Sequence, residues 1–273
     1  MAHPGSGIVV DRRGYVYFVD TGGGVWMIEP DGRLSRHGDP RFHWMAIDEG
    51  ERPSGAPLPT IPGGEITAVG AHPTLLVSSD VPIAIDRDGM LYYPEFGRDE
   101  RLRIMQFTRS GVQSVRAILS PSAHRWINGL AAGPDGSLYY AEDKAVRRID
   151  RRGVVSALVE NVSLRNCGSI PGTEESEPYL RGLAVGADGT VWVAASGCGA
   201  VLRITSRGEM TTVLRTISPW SPTAVAVSPS GIYVLEYLHT AAEDRQAWVP
   251  RVRKILPNGS VVDIAAVQRT KAR

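Results

Sequence analysis

The sequence contains little cysteine, and this limits how its fold can be stabilised. Cys167 and Cys198 are the two cysteines in 273 residues, too few for a disulfide framework. Both are expected in loops on the same face, so a disulfide, two free thiols and simple packing are all open. Free thiols are the default in a reducing compartment. Stability must come mainly from a buried core, for which the chain is long enough.

The sequence also lacks an excess of one charge and a long apolar run. Its 30 Lys+Arg and 29 Asp+Glu give a net charge of +1, which indicates no nucleic-acid-binding surface. No apolar run approaches the length of a membrane span. The opening segment MAHPGSG has neither the basic nor the apolar region of a secretory signal. We therefore expect a soluble, cytoplasmic protein that binds neither nucleic acid nor membrane.

A repeat is what the sequence does contain. The stretch 127–142, INGLAAGPDGSLYYAE, consists of an apolar run, a Pro-Asp-Gly turn and a second apolar run. Similar stretches begin near residues 5, 81, 180 and 222, and two further apolar runs follow each copy. Four short strands joined by Gly-containing turns, repeated about every forty residues, are typical of β-propeller blades.

We therefore predict an all-β protein, a single six-bladed β-propeller domain with four-stranded antiparallel blades. The predicted blades span residues 5–39, 40–80, 81–119, 126–159, 180–214 and 222–267. The second blade is irregular, because four prolines in GERPSGAPLPTIPGG argue against a central strand there. No strand is left over for exchange between the chain ends, so blade six is expected to close the ring by packing against blade one.

Alignment of the six copies predicts a ring of residues at the mouth of the central channel. The first strand of each propeller blade lines the channel, so the residue before it lies near the face that carries the inter-blade loops. These residues are Ser6, His43, Val81, Asn128, Arg181 and Thr223. Imidazole, amide, guanidinium and hydroxyl groups that converge on a pocket suit an oxygen-rich small ligand. The alternative is that they bind channel water and nearby backbone.

A second ring of carboxylates is predicted on the same face, at the ends of the second strands. It comprises Asp20, Glu95, Glu142 and Glu236. Asp20 and Glu142 are expected to accept backbone hydrogen bonds in the following turns. Glu236 is the better functional candidate because the next loop places His239 beside it, and such a pair can perform acid–base chemistry. His124 is expected in the loop that enters the channel mouth.

The repeats INGLAAGPDGSLYYAED and RGLAVGADGTVWVAA resemble those of SMP-30/gluconolactonase-like and NHL-repeat six-bladed propellers. The resemblance covers nearly the whole chain apart from the proline-rich insertion. It implies a site at the channel mouth, which in lactonase members holds a divalent metal, calcium or zinc, that polarises a lactone carbonyl and activates water. Asn128 matches the family's metal-binding asparagine, whereas Ser6 and Arg181 occupy the positions of its two acidic ligands.

The first hypothesis is an enzyme, a lactonase- or esterase-like hydrolase or a lyase, acting on a small oxygenated substrate with or without an anionic group. Arg181 would bind a carboxylate or oxyanion, and His43 or His239 would act as general base. Glu236 would orient that base. The predicted substrate contacts are Ser6, His124, Asn128, Arg181 and Thr223.

The second hypothesis is a non-catalytic module of the NHL type, which senses a ligand or captures a protein partner on the loop face. Exposed aromatic residues would then matter more than the channel ring, since aromatic side chains dominate binding energy at interfaces. The candidates are Tyr179, Trp220 and Trp248. No Ser-His-Asp elbow, phosphate-binding glycine loop or CxxC pair is recognisable in the sequence.

Overall fold

A computed structural model shows six antiparallel β-sheets arranged in a ring. It describes residues 5–50, 52–53, 55–119, 126–142, 144–165, 167, 177–238 and 248–268. Among these residues the one helical element is a single 3₁₀ turn, Ser196–Cys198, and no helix is long and apolar enough to cross a membrane. The prediction of an all-β, six-bladed propeller is confirmed.

The first three blades contain eleven strands. Blade one consists of β1 (Ile8–Val10), β2 (Val16–Asp20), β3 (Gly24–Ile28) and β4 (Leu34–Gly38). Blade two consists of β5 (Trp44–Asp48), β6 (Ile66–Val69) and β7 (Thr74–Ser78). Blade three consists of β8 (Ala84–Ile85), β9 (Leu91–Phe96), β10 (Leu102–Phe107) and β11 (Gln113–Ile118).

The last three blades contain four strands each. Blade four consists of β12 (Gly129–Ala132), β13 (Leu138–Ala141), β14 (Val146–Ile149) and β15 (Val155–Val159). Blade five consists of β16 (Leu180–Val185), β17 (Val191–Ala195), β18 (Ala200–Ile204) and β19 (Met210–Arg215). Blade six consists of β20 (Trp220–Ser228), β21 (Gly231–Leu238), β22 (Pro250–Ile255) and β23 (Val261–Ala266).

Asp-Gly turns set the first hairpins of blades three, four and five. In blade four, Asp135 accepts a hydrogen bond from the backbone N–H of Ser137 at 3.0 Å, and Gly136 has a φ of 74°. Glycine adopts this left-handed conformation without steric cost, and aspartate caps the turn with its own side chain. The turn therefore fixes the register in which Ala132 pairs with Leu138.

The hydrophobic core lies between neighbouring blades. All four residues of β13 are buried, whereas most residues of the outermost strand β11 are exposed. Tyr139 and Val146 of blade four pack with Leu183 and Val193 of blade five in one buried cluster. Each blade thus covers the apolar face of the next, which is why the repeats must close into a ring.

Blade two departs from the sequential strand order of the other blades. Its order is β5-β7-β6, so β7 takes the central position and β6 lies at the edge. The proline-rich run before β6 forms no regular strand in its described part, where one isolated bridge joins Ile61 and Gly64. The expected surface loop is present, and its residues 61–63 return to the channel mouth.

The ring closes without an exchanged strand in the described residues. Blades one and six each contain their own four strands, and Ile8 and Phe18 of blade one pack with Ala224 and Tyr237 of blade six. The Tyr237 hydroxyl also donates a hydrogen bond to the Val19 carbonyl at 2.8 Å. The predicted closure of blade six against blade one is therefore confirmed.

Candidate functional site

A cavity of about 630 Å³ opens at the loop-bearing mouth of the propeller, lined by residues of blades two to five and by none of blades one and six. Most of its wall is apolar. Its polar lining residues are His43, Ser79, Asp80, Glu95, Asn128 and Arg181. Its aromatic lining residues are Trp44, Phe96, Trp126 and Tyr179. An apolar cleft with a few converging polar groups is the usual form of a small-molecule site.

Arg181 supplies a sheltered positive charge on the cavity wall. It lies on β16 and is 4% exposed. Burial lowers the pKa of its guanidinium, because a low-dielectric environment disfavours the cation. The guanidinium carbon lies 5.9 Å from the centre of the Tyr179 ring, within the range of a cation–π contact. An anionic ligand group at this wall would meet a partly desolvated guanidinium, which strengthens their attraction.

His43 presents one defined ring nitrogen as an acceptor. Its Nδ1 lies 2.6 Å from the Ser79 carbonyl oxygen. A carbonyl oxygen only accepts hydrogen bonds, so in the neutral imidazole Nδ1 carries the proton and Nε2 carries the lone pair. The Trp44 ring packs edge-on against the imidazole at 5.4 Å, which limits its rotation. Nε2 is itself buried, so His43 can act as a general base only towards a group that enters the cavity it lines.

Hydrogen bonds to Leu180, Ala141 and Trp44 help to hold Asn128 at the entry to β12. Its side-chain Nδ2 donates to the Leu180 carbonyl at 3.0 Å, and its backbone N–H donates to Ala141 at 2.9 Å. Its own carbonyl accepts from the Trp44 indole at 3.4 Å. The side-chain amide of Asn128 thus binds blade five, and its backbone binds blades two and four.

Tyr179 lines the cavity in an unusual backbone conformation, with a φ of 43°. A bulky residue in the left-handed region is uncommon, and surrounding structure must hold it there. The backbone N–H of Ser196 donates to the Tyr179 carbonyl at 3.1 Å. Ser196 begins the 3₁₀ turn that ends at Cys198, and Cys198 forms a disulfide with Cys167. The default of free thiols is therefore wrong.

Ser6 and Thr223 belong to the predicted ring but lie outside the residues that line the cavity. Both are buried, and the Ser6 hydroxyl has no hydrogen-bond partner in the described part of the chain. The Thr223 hydroxyl lies 3.5 Å from the Leu235 carbonyl. Because residues of blades two to five line the cavity, it collects His43, Val81, Asn128 and Arg181 but not these two hydroxyls.

Glu236 lies in β21, outside the cavity lining, and is fully buried among arginines. Its Oε2 lies 2.6 Å from Arg251 Nε, and its Oε1 lies 3.5 Å from Arg253 Nη1. Burial nevertheless raises the pKa of this carboxyl group, although both arginines oppose the shift. The structure therefore pairs Glu236 with cations. His239, its predicted neighbour, and His124, predicted in the loop that enters the channel mouth, lie outside the described residues.

The remaining carboxylates of the second ring have different environments. Asp20 accepts a hydrogen bond from the Gly22 N–H at 3.0 Å, the structural role expected for it. Glu142 instead pairs with Arg147 Nε at 3.1 Å. Glu95 lines the cavity, a placement that its position in the ring predicted but to which the sequence attached no role.

The exposed aromatic residues are not those expected from the sequence. Tyr179, Trp220 and Trp248 are half-buried, and Arg251 stacks 4.0 Å over the Trp220 ring. Phe96 and Trp126 are 55% and 67% exposed, and both line the cavity. Each adjoins a residue of the two predicted rings, Phe96 after Glu95 and Trp126 two residues before Asn128, and this was the signal available in the sequence.

The described residues do not fit a divalent metal at this site. They contain no group of three or more His, Cys, Asp or Glu side chains that could hold an ion. Asn128 uses its Nδ2 on the Leu180 carbonyl, and the guanidinium of Arg181 shares its cavity. A cation beside a guanidinium is repelled, whereas calcium requires several oxygen ligands. No catalytic step is therefore assigned to a metal.

Comparison with known proteins decides the family. The model of the SMP-30/gluconolactonase/LRE-like region matches residues 83–233, more than half of the chain. The chain belongs to this family. The resemblance seen in the blade repeats is thus confirmed, while a search of curated proteins found no match.

Solved structures share the propeller fold of this SMP-30/gluconolactonase-like chain. A streptogramin B lyase structure is 16% identical, with a TM-score of 0.56, over 99% of this chain and 86% of the other. The calcium-binding protein regucalcin from Agrobacterium tumefaciens is 18% identical, with a TM-score of 0.54, over 88% and 84%. Virginiamycin B lyase from Staphylococcus aureus is 16% identical, with a TM-score of 0.51, over 97% and 85%. These likenesses show the fold.

Proposed function

We propose that the protein is a hydrolase or lyase acting, in the cavity at the channel mouth, on a small oxygenated substrate that either carries a negative charge or develops one during reaction. The observation that carries this proposal is the buried guanidinium of Arg181 on the wall of a 630 Å³ cavity shared with His43. A fixed cation in a water-poor site stabilises negative charge that develops during reaction. Membership of the SMP-30/gluconolactonase-like family supports the same reading.

Hydrolysis of an ester or lactone uses these groups in two steps. Nε2 of His43 accepts a proton from water while the hydroxide oxygen bonds to the carbonyl carbon, and the resulting oxyanion lies against Arg181. The tetrahedral intermediate then re-forms the carbonyl and breaks the bond to the leaving alkoxide. That alkoxide takes the proton from the imidazolium, which restores neutral His43. Asn128, fixed by its bond to Leu180, positions the substrate.

An elimination needs the same two residues. His43 would remove a proton next to a carbonyl, and Arg181 would stabilise the enolate oxygen until the leaving group departs. The proton then passes from the imidazolium to the leaving group. Because the two reactions differ in whether water is consumed, product analysis by mass spectrometry separates hydrolase from lyase.

Substitution of Arg181 tests the proposal. With phenyl acetate and dihydrocoumarin as trial substrates, we expect Arg181→Met to lower kcat/KM by about 100-fold, the typical effect of removing one oxyanion-stabilising group. Arg181→Lys should retain part of the activity because it keeps the charge but loses the planar fork. Arg207→Met, at an exposed turn arginine, is the matched control and should act like wild type.

Melting temperatures of all variants must accompany these assays, because Arg181 is buried. Wild-type turnover by a folded Arg181→Met protein would overturn the proposal. Binding of anionic compounds at Arg181 without turnover of any ester or lactone would favour the second hypothesis, a non-catalytic sensing module. A protein partner for the loop face stays a prediction, as does the NHL-type relationship.

The cytoplasmic location also stays a prediction. The disulfide between Cys167 and Cys198 bears on it, since such bonds persist mainly in oxidising compartments. Counting of free thiols by a thiol reagent, in denatured protein taken directly from its native cells, would show whether the bond forms there.

A further inference from the structure

We infer that the cavity takes a two-part ligand, with a carboxylate or oxyanion group at Arg181 and a non-anionic aromatic group at Phe96 and Trp126. The position of the anionic group at Arg181 rests on the proposed function. The position of the aromatic group rests on Phe96 and Trp126, whose side chains the proposed chemistry does not use. Together they name a substrate class: aryl-bearing carboxylates, esters or lactones.

Phe96 and Trp126 form an aromatic edge to the cavity. Phe96 ends β9, Trp126 leads into blade four, and their rings meet edge to face with centroids 6.3 Å apart. Phe96 is 55% exposed and Trp126 is 67% exposed. Two large aromatic side chains that line a cavity yet keep this much surface in water have apolar area available for a ligand.

The size of the cavity also favours a ligand larger than a simple sugar lactone. Its volume of about 630 Å³ lies in the range of drug-sized ligands, about 300–1,000 Å³. A polar ligand of a dozen heavy atoms would leave the apolar outer wall wet. An aryl group placed between the Phe96–Trp126 edge and the inner polar residues would exclude that water and gain apolar burial.

The charges around the cavity give the ligand one orientation. Arg181 is buried at the inner wall, whereas Asp80 is exposed and Glu95 is half-buried next to Phe96. An anionic group is attracted to the first and repelled by the other two. The ligand therefore enters with its anionic end inward, and its outer end carries no negative charge.

Three probes separate these parts by isothermal titration calorimetry. Acetate presents the anionic head alone, 2-naphthoate adds the aryl group, and 2,6-naphthalenedicarboxylate places a second carboxylate at the outer end. The variants are wild type, the double variant Phe96→Ala/Trp126→Ala, and Arg181→Met. Ile217→Ala, which truncates an exposed apolar residue outside the cavity lining, is the control.

We expect 2-naphthoate to bind wild type at least about tenfold more tightly than acetate, and the dicarboxylate to bind several-fold more weakly than 2-naphthoate. The double aromatic variant should lose about tenfold in 2-naphthoate affinity and leave acetate unchanged. Arg181→Met should weaken both probes, and Ile217→Ala neither.

Each failure has its own signature. If 2-naphthoate binds no more tightly than acetate, does not bind wild type at all, or is unaffected in the double aromatic variant, the two-part inference is overturned. The proposed function survives that result as long as Arg181→Met reduces catalysis. If the aromatic variant weakens 2-naphthoate but Arg181→Met changes no probe, the aromatic half stands and the proposed role of Arg181 fails.

Discussion

At the scale of single residues, aspartate side chains stabilise the hairpin turns through hydrogen bonds. In blade five, Asp188 Oδ1 accepts from the backbone N–H of Thr190 at 3.0 Å, and its Oδ2 accepts from the Thr190 hydroxyl at 2.8 Å. These hydrogen bonds, the backbone one first, lower the pKa of Asp188 from its usual 3.8. The charged form is thus favoured in the folded state.

This arrangement makes the stability of the turn depend on pH. Because the folded-state pKa of Asp188 is lowered, its contribution is present above pH 3.8 and is lost as pH falls through the folded value. Asp188→Ala should lower the free energy of unfolding by about 1 kcal/mol at pH 7, and the difference from wild type should shrink towards pH 3. Urea unfolding across this range measures it.

Asp39→Asn provides the control, since the side chain of Asp39 is 93% exposed and lies outside these turns. It should unfold like wild type at every pH. An Asp188→Ala protein whose deficit stayed constant down to pH 3 would contradict the assigned cause, because the deficit would not follow the charge of the carboxylate.

Position in the repeat predicted where three side chains of the candidate site lie, and their roles stay predictions. His43 and Asn128 directly precede the first strands of their blades, Arg181 is the second residue of its own first strand, and all three line the cavity. Phe96 and Trp126 were missed because an aromatic residue in an apolar pattern looks the same whether it is buried or exposed. Solvent exposure is a property of the assembled blades, which a single repeat does not encode.

At the scale of elements, the inner strands approach so closely that glycine lies at or near the start of three of them, at Gly7, Gly129 and Gly182. A Cβ at Gly129 would lie 2.6 Å from the Arg181 carbonyl oxygen, and one at Gly182 would lie 2.6 Å from the Ala224 Cβ. The dipeptides Asn128-Gly129 and Arg181-Gly182 therefore combine a cavity-lining side chain with a close backbone contact. This pairing was visible in the sequence and is the physical reason for the repeated polar-Gly pattern.

The strand order of blade two was not predicted, although a signal existed. The central strand β7 is buried along its whole length, whereas β6 has one exposed residue, Ala68, and one half-buried residue, Thr67. A continuous apolar run fits the middle of a sheet, and a partly polar one fits the edge. Pairing in chain order was the simpler assumption, and the long connection after β5 made the alternative order accessible.

The disulfide supports one wall of the cavity, and its loss has a predictable effect. Cys167 is bonded to Cys198 at the end of the 3₁₀ turn whose Ser196 N–H holds the Tyr179 carbonyl. Cys198→Ser should lower the free energy of unfolding by about 2–4 kcal/mol. It should also weaken 2-naphthoate binding several-fold, because Tyr179 then leaves its strained conformation more easily. Thermal unfolding and calorimetry measure the two effects.

Cys167→Ser and chemically reduced wild type are the matched comparisons, since each removes the same bond. All three proteins should behave alike. If reduced wild type kept both its melting temperature and its affinity, the disulfide would have no role in holding the cavity wall.

At the scale of the whole molecule, the repeat predicted the number of blades and the manner of closure but not the place of the cavity. Six copies of one pattern with no strand left over require blade six to pack on blade one. The cavity instead depends on the non-repeated part of blade two, whose residues 61–63 form part of its wall. An alignment of the repeats uses only what the six copies share and does not register a segment present in one blade. It therefore predicted a ring around the propeller axis that includes Ser6 and Thr223.

Because no strand is exchanged between the first and last blades in the described part of the chain, side-chain contacts between them must hold the ring closed. The hydroxyl of Tyr237, which is fully buried, donates to the Val19 carbonyl across 218 residues of chain. Tyr237→Phe would leave that carbonyl without this bond in a site that water does not reach. It should lower the free energy of unfolding by about 1–2 kcal/mol, while unfolding stays a single transition. Calorimetry measures both properties.

Tyr233→Phe, on the same strand, is the matched control, because its hydroxyl forms no hydrogen bond within the described residues.

Wild type and Tyr237→Phe should also differ in how their stability changes at alkaline pH. Burial raises the pKa of Tyr237 above its usual 10.0, so its contribution is present below pH 10.0 and declines as pH rises further. Wild type should therefore lose stability above pH 10.0 faster than Tyr237→Phe. Parallel curves for the two proteins would show that the Tyr237 hydroxyl does not hold the ring closed, leaving closure to apolar packing between blades one and six.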